Sequence, residues 1–136
     1  MVTLDSNVYI SFVISPKPPL STIRDAWLDG SFIAALSQDL YDELERVTSY
    51  PHLAKFFRNG EREAFLTRLR TLCLRVHPEK PYPEFSDPDD AYLLAMLRAP
   101  ATELLVTGDK ALLALTSFAD KPIMSPAAFV TEYLES

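Results

Sequence analysis

The sequence predicts an α/β fold in which helices cover both faces of a parallel sheet. Short apolar stretches alternate with longer segments of helical periodicity along the 136 residues, and this alternation is typical of parallel strands joined by helices. The apolar stretches are nearly uninterrupted, as in strands that are buried on both faces. Apolar residues make up 48% of the chain and charged residues 24%, so we expect one globular domain over residues 1–136.

Five strands and six helices are predicted in chain order. The predicted strands are Val2–Asp5, Phe32–Leu36, Leu74–Val76, Leu104–Thr107 and Ile123–Met124. The predicted helices are Leu20–Asp29, Gln38–Ser49, Glu61–Cys73, Asp89–Arg98, Lys110–Leu115 and Pro126–Leu134.

Capping and loop residues mark several of these boundaries. Ser37 is a favoured N-cap before the second helix, and Asp87 followed by Pro88 is typical of a helix start. The segment 78–88 contains four prolines, which predicts a loop. No helix is predicted directly after Asp5.

The net charge of −6 argues against a protein that binds nucleic acid through a broad positive field. A metal-dependent nuclease is not excluded, because the carboxylates of such a site make the charge more negative. Seven of the 13 basic residues lie between Lys55 and Lys80. We interpret the arginines of this segment as a solvated helix face rather than as phosphate contacts; they are Arg58, Arg62, Arg68, Arg70 and Arg75.

The cysteine content and the apolar runs indicate the cellular compartment of the protein. The single cysteine, Cys73, lies in an apolar helical run, so we expect a buried thiol in a reducing environment. No apolar run approaches the roughly 20 residues that a transmembrane helix needs. No basic segment of the kind that opens a signal peptide precedes the first predicted strand. We therefore expect a cytoplasmic protein that does not associate with membranes.

Two carboxylates follow predicted strands. Asp5 ends the first strand, and Asp109 comes directly after the fourth. Sites in open α/β sheets form beyond the carboxyl ends of the strands, so both side chains enter one crevice if these strands are neighbours. Asp109 is equally well explained as the N-cap of the helix that follows it. Asp5 has no such explanation, and a carboxylate at the end of an apolar strand needs a partner or a metal.

Two further carboxylates lie on the apolar faces of helices. Asp90 shares a face with Leu93 and Leu94 of its own helix, whereas Asp87 is explained by capping. Glu43 lies at the edge of the stripe that contains Leu40, Leu44 and Val47. Carboxylates that gather in a crevice repel each other unless their pKa values rise or a cation neutralises them. Oxygen ligands select Mg²⁺ or Mn²⁺, and the chemistry that such a site serves is phosphodiester hydrolysis.

Four short motifs together resemble the PIN domain family. They occur in order along nearly the whole chain: Leu4–Val8, Ser37–Leu44, Asp87–Ala95 and Thr107–Lys110. The likeness is to the branch that includes the toxins of prokaryotic toxin–antitoxin systems, akin to VapC. The resemblance implies a three-layer α/β/α sandwich with a central parallel sheet and an endoribonuclease dependent on Mg²⁺ or Mn²⁺. It also implies a homodimer and a cognate antitoxin as protein partner.

The resemblance carries functional roles to individual positions. The acidic quartet of the family corresponds to Asp5, Glu43, Asp90 and Asp109. Asp87 also matches an acidic position of this branch, so the choice between Asp87 and Asp90 stays open and both are candidate metal ligands, with Asp5 and Asp109. Supporting polar positions correspond to Asn7, Ser37 and Thr107. The RNA target, the RNA-binding residues and the number of metal ions are not specified by these motifs.

Other classes of function share parts of the pattern. A non-catalytic binding module would use the same acids as helix caps and rim charges. A haloacid dehalogenase-like phosphatase needs a second aspartate two residues after Asp5, where this chain has Asn7. A receiver domain needs a phosphoacceptor aspartate after its third strand, where this chain continues with His77 and Pro78. We keep the binding module as the alternative.

Overall fold

A mostly parallel sheet forms the centre of the fold. The computed structural model describes residues 1–135, and Ser136, the last residue of the predicted domain, lies outside the described residues. The strands found there are β1 (Val2–Leu4), β2 (Ala35–Leu36), β3 (Leu74–Arg75), β4 (Leu104–Val106), β5 (Ser117–Phe118) and β6 (Lys121–Met124). A parallel bridge between Val2 and Ala34 joins the β2–β3 pair to β1. The order across the sheet is therefore β3-β2-β1-β4-β6-β5, with only β5 antiparallel to its neighbour.

Helices flank this sheet, and the three-layer α/β/α architecture expected from the sequence is confirmed. The helices are α1 (Ser6–Ile14), α2 (Leu20–Asp29), α3 (Gln38–Val47), α4 (Glu61–Leu72), α5 (Ala91–Leu97), α6 (Lys110–Leu113) and α7 (Pro126–Phe129). Short 3₁₀ helices span Pro51–Phe56 and Pro88–Asp90, and a π-helical turn, Val130–Leu134, continues α7. Among residues 1–135, none of the helices has both the length and the apolar character that a membrane crossing requires.

Side-chain caps begin several helices where the sequence places favoured residues. The hydroxyl of Ser37 accepts a hydrogen bond from the backbone N–H of Leu40 at 3.2 Å, and so begins α3 as predicted. The Asp109 carboxylate accepts from the N–H of Ala111 at 2.8 Å and begins α6. Helix α2 ends at Gly30, whose φ of 80° is the left-handed conformation that glycine adopts without strain.

The core is deepest around β1, β4 and α5. All residues of β1 and β4 are buried, as the uninterrupted apolar runs predict. Every residue of α5 is buried as well, because this helix packs against both strands and against α3. Cys73 is a buried free thiol, as expected. Since α5 lies in the core, Asp90 at its N-terminus is brought to the edge of the sheet.

One α-helix, one strand and the 3₁₀ helix Pro51–Phe56 were not predicted. Helix α1 begins immediately after Asp5, so the expectation that no helix follows this residue was wrong. The reason is that α1 carries apolar residues around most of its circumference, which removes the periodicity that reveals a helix. Strand β5 was also missed, and it makes the sheet mixed rather than purely parallel. It joins β6 through a two-residue turn in which Ala119 and Asp120 both have positive φ, without the Asn-Gly or Asp-Gly pair typical of such turns.

Lys121 holds the C-terminal end of α5. Its ammonium group donates to the carbonyl oxygens of Leu97 and Ala99 at 2.6 and 2.7 Å, and lies 3.3 Å from the hydroxyl of Thr102. These are carbonyls that a helix end leaves without partners inside the helix. A lysine on β6 thus fixes the helix that presents Asp90.

Replacing Lys121 with methionine keeps most of the side-chain volume and removes the donor. We expect Lys121→Met to lower the free energy of unfolding by about 1–3 kcal/mol, since the carbonyls of Leu97 and Ala99 lose a charged donor and keep only Thr102 as a partner among residues 1–135. Urea denaturation measures this change. The matched control is Lys110→Met at an exposed lysine, for which we expect almost no change. Equal stability of the two variants would contradict the role given to Lys121.

Candidate active site

The carboxyl ends of β1 and β4 lie side by side. Leu4 pairs with Val106 in the parallel register, and the N–H of Asp5 donates to the carbonyl of Val106 at 2.9 Å. The two strands that precede Asp5 and Asp109 are therefore neighbours, as the sequence argument required. This places Thr107 beside Asp5.

The hydroxyl of Thr107 bridges Asp5 and Asp109. It donates to Oδ2 of Asp5 at 2.7 Å and accepts from the backbone N–H of Asp109 at 3.0 Å. Thr107 is completely buried, and Asp5 is only 3% exposed. One side chain thus fixes both the carboxylate after β1 and the turn after β4.

Burial dominates the electrostatics of Asp5. It raises the pKa of this carboxyl above the ordinary value, and the negative charge of Glu43 raises it further. Hydrogen bonds from Thr107, from the backbone of Asn7 and from the hydroxyl of Ser6, 3.3 Å from Oδ1, act in the opposite direction. At Asn7, one of the predicted supporting positions, the contact with Asp5 comes from the backbone, and the residue itself is exposed.

Glu43 is positioned from α3 by a tyrosine of α5. The phenol of Tyr92 donates to Oε2 of Glu43 at 2.5 Å, and the guanidinium of Arg46 lies 3.7 Å from Oε1. Tyr92 is buried, and burial together with the bond to Glu43 raises the pKa of its phenol. Sequence reasoning missed Tyr92, although a tyrosine in a fully apolar helix signals a hydroxyl that needs a buried partner.

Asp87 and Asp90 have different surroundings. Asp87 is exposed, and its carboxylate accepts from the N–H of Asp89 at 3.0 Å, which caps the 3₁₀ helix Pro88–Asp90. Asp90 is half-buried at the start of α5. Burial, then the charges of Asp5 and Asp87, and then Asp109 raise the pKa of Asp90 to about 7. Asp90 is therefore coupled electrostatically to Asp5, Asp87 and Asp109.

We call Asp5, Glu43, Asp90 and Asp109 the acidic centre. A cleft of about 590 Å³ borders it on the side of Glu43 and Tyr92. Its other charged lining residues are three carboxylates and one guanidinium: Asp39, Asp42, Asp89 and Arg46. We call this the acidic cleft.

The chemistry of the acidic centre fits a hard divalent cation, but its side chains are not gathered around one point. Within residues 1–135, no three His, Cys, Asp or Glu side chains form a group that could hold a metal ion as they stand. Asp5 bonds to Thr107, Glu43 to Tyr92 and Asp109 to the start of α6, while Asp90 interacts with Asp109. Oxygen donors are the ligands that a hard cation prefers. A bound cation would also stabilise the ionised form of Asp90, whose pKa is raised without it.

The chain matches a known protein family over most of its length. A family model described as PIN domain matches residues 1–111. This range contains all four residues of the acidic centre. No curated protein matches the chain.

Thr107→Val removes the bridging hydroxyl and keeps the shape of the side chain. We expect the free energy of unfolding to fall by about 1–3 kcal/mol, because buried Asp5 and the N–H of Asp109 each lose a partner. Urea denaturation at neutral pH measures the change. Thr107→Ser keeps the hydroxyl and should retain most of the stability. A valine variant as stable as the parent would show that the bridge is not needed.

The raised pKa of Asp90 predicts that the metal-free protein loses stability as pH rises. Below the unfolded pKa of about 3.8 the carboxyl is neutral in both states, and between there and about 7 only the folded state keeps the proton. The unfolding temperature should therefore fall across this range, by about 4 °C for each kcal/mol lost.

Asp90→Asn isolates this effect, because asparagine does not titrate. The Tm of the parent should fall relative to the Tm of the variant as pH rises to about 7. Above that pH, the Tm of the parent minus that of the variant should stay constant. Differential scanning calorimetry in a chelator measures both proteins under the same conditions. A difference that is independent of pH would contradict the assignment.

Proposed function

The chain belongs to the PIN domain family, and on that premise we propose that it is a metal-dependent endoribonuclease that hydrolyses RNA phosphodiesters at the acidic centre. Members of this family are generally metal-dependent nucleases that act on nucleic acids. The observation that carries the proposal is the buried Asp5 carboxylate, which is bonded to Thr107 and lies within the electrostatic field of Glu43 and Asp90.

We propose Mg²⁺ or Mn²⁺ as the cofactor. The ligands would be Asp5, Asp90 and Asp109, with Asp87 as a further candidate from its exposed position beside Asp90. Oxygen donors of this kind are the ligands that hard divalent ions prefer. When bound, the ion supplies Lewis acidity towards the phosphate and lowers the pKa of water.

The residues of the chain then have distinct roles. Thr107 holds Asp5 in one orientation, and Tyr92 does the same for Glu43. Asp90 holds a proton near neutral pH in the metal-free state, and it would release that proton when a cation binds. Ser37 supports Glu43 indirectly, because it caps the helix that carries this residue.

The biological setting is also a proposal. From the resemblance of its motifs to VapC-like toxins, we propose that the protein is the toxin of a toxin–antitoxin pair. It would act as a homodimer, and a cognate antitoxin would block the site. A reducing cytoplasm is the compartment that fits the buried, free thiol of Cys73.

One observation favours a second candidate function. Because no three acidic side chains of residues 1–135 are arranged to hold a metal, a PIN-fold module that only binds another protein is the alternative. Such a module would use Asp87 and Asp109 as helix caps, which both of them are. It would neither bind Mn²⁺ at the acidic centre nor cut RNA.

The test is cleavage of a mixed RNA pool by the purified protein with Mg²⁺, Mn²⁺ or a chelator. We expect cleavage only with metal, and a loss of about a thousandfold or more in Asp5→Asn, because one ligand and one charge are removed.

The matched control is Asp42→Asn. Asp42 is an exposed carboxylate of α3 that bonds to Gln38 at 2.8 Å and is not part of the acidic centre. This variant should keep activity within a few-fold of the parent. Metal-independent cleavage, or full activity of Asp5→Asn, would refute the proposed function. No cleavage together with no Mn²⁺ binding would favour the binding module.

A further inference from the structure

A second cleft borders the acidic centre from a different side. It lies between α1, the start of α2 and the start of α7, and has a volume of about 490 Å³. Asn7 and Gly108 form its border with the acidic centre, since they lie two residues after Asp5 and one residue before Asp109. Ser11 and Ser125 add hydroxyl groups, and within residues 1–135 no charged side chain lines the cleft. We call it the uncharged cleft.

The charges of the two clefts differ in a way that matters for a polyanion. Four carboxylates, one of them from Glu43, line the acidic cleft together with one guanidinium. A nucleic-acid strand carries one negative charge at each phosphate, and like charges in a partly enclosed site repel strongly. The uncharged cleft reaches the same centre without this repulsion.

Two lysines lie close in the chain to lining residues of the uncharged cleft. Lys17 lies just before Pro19 and Leu20 of its lining, and Lys110 lies two residues after Gly108. Both lysines are exposed. Among residues 1–135, neither forms an ion pair with another side chain.

Several arginines of the basic segment are already engaged within the protein. Arg62 bonds to the Thr48 hydroxyl and the Glu45 carbonyl, and Arg75 bonds to Gln38. Arg70 bonds to the phenol of Tyr41 and stacks over its ring. These contacts agree with the interpretation of that segment as a helix face. Lys17 and Lys110, by contrast, have no ion-pair partner among the described residues and lie within two residues of the lining of the uncharged cleft.

The surface beside Asp109 is open to close approach. A β-carbon added to Gly108 would meet no atom within 4 Å, so a ligand can come near the backbone at the point where the cleft meets the acidic centre.

We propose that the RNA strand to be cut lies along the uncharged cleft, with its phosphates at Lys17 and Lys110, and that the acidic cleft repels it. This inference rests on the proposed function for its choice of ligand. It goes beyond that function because it assigns the path of the substrate to one side of the centre and names two binding residues.

The experiment measures the affinity of a short, fluorescently labelled single-stranded RNA by anisotropy, in a chelator so that no cleavage consumes the probe. The variants are Lys17→Gln and Lys110→Gln in the full chain. The matched control is Lys80→Gln at an exposed lysine whose ammonium group lies over the ring of Tyr82, on the side of the acidic cleft. Equal unfolding temperatures establish that all three variants fold.

We expect each of the two cleft variants to bind about threefold more weakly at physiological salt, and the slope of log Kd against log salt to fall by about 0.7 for each lost phosphate contact. Lys80→Gln should bind like the parent. The inference is overturned if Lys80→Gln weakens binding as much as Lys110→Gln, if neither cleft variant changes it, or if the parent does not bind.

The cleavage assay separates this inference from the proposed function. Binding that depends on Lys17 and Lys110 without any metal-dependent cleavage would refute the proposed function and leave the RNA path in place. Metal-dependent cleavage with normal binding by both cleft variants would refute the path alone.

Discussion

Burying a carboxylate at the end of a strand costs free energy unless hydrogen-bond donors surround it. Asp5 meets this condition through Thr107, which also accepts the N–H of Asp109. This hydroxyl ties together two loops that are about a hundred residues apart in the chain, and it is available only because β1 and β4 are parallel neighbours in register. The remaining acids are coupled to this carboxylate, since the charge of Glu43 raises the pKa of Asp5 and the charge of Asp5 raises the pKa of Asp90.

This arrangement brings negative charges close together, and their repulsion is unfavourable. Carboxylates from four separate segments approach one another at the edge of a buried sheet, and the half-buried Asp90 responds with a pKa of about 7. Tyr92 and Arg46 relieve part of the charge at Glu43. A fold that keeps such a cluster loses stability as the acids ionise, and perturbed pKa values of this kind are typical of functional sites.

The fold and the helix caps beside the acidic centre follow from local sequence signals. Uninterrupted apolar runs locate β1 and β4 because both are buried on two faces, and Ser37, Asp87 and Asp109 mark helix starts because their side chains cap backbone N–H groups. The failures also have physical causes. Helix α1 is apolar around most of its surface and β5 is only two residues long. Neither element therefore shows a periodic pattern of apolar residues in the sequence. The bond between Tyr92 and Glu43 joins α5 to α3, and no spacing within one element can reveal it.

The central claim is that the acidic centre binds a divalent cation in exchange for the proton of Asp90. Calorimetric titration of Mn²⁺ into the metal-free protein tests it most directly, at a pH below the Asp90 pKa of about 7 and in two buffers with different ionisation enthalpies. We predict saturable binding with a heat that differs between the buffers, because a proton is released, and no such difference well above that pH. The absence of saturable binding, or binding without proton release below the pKa, would contradict the account.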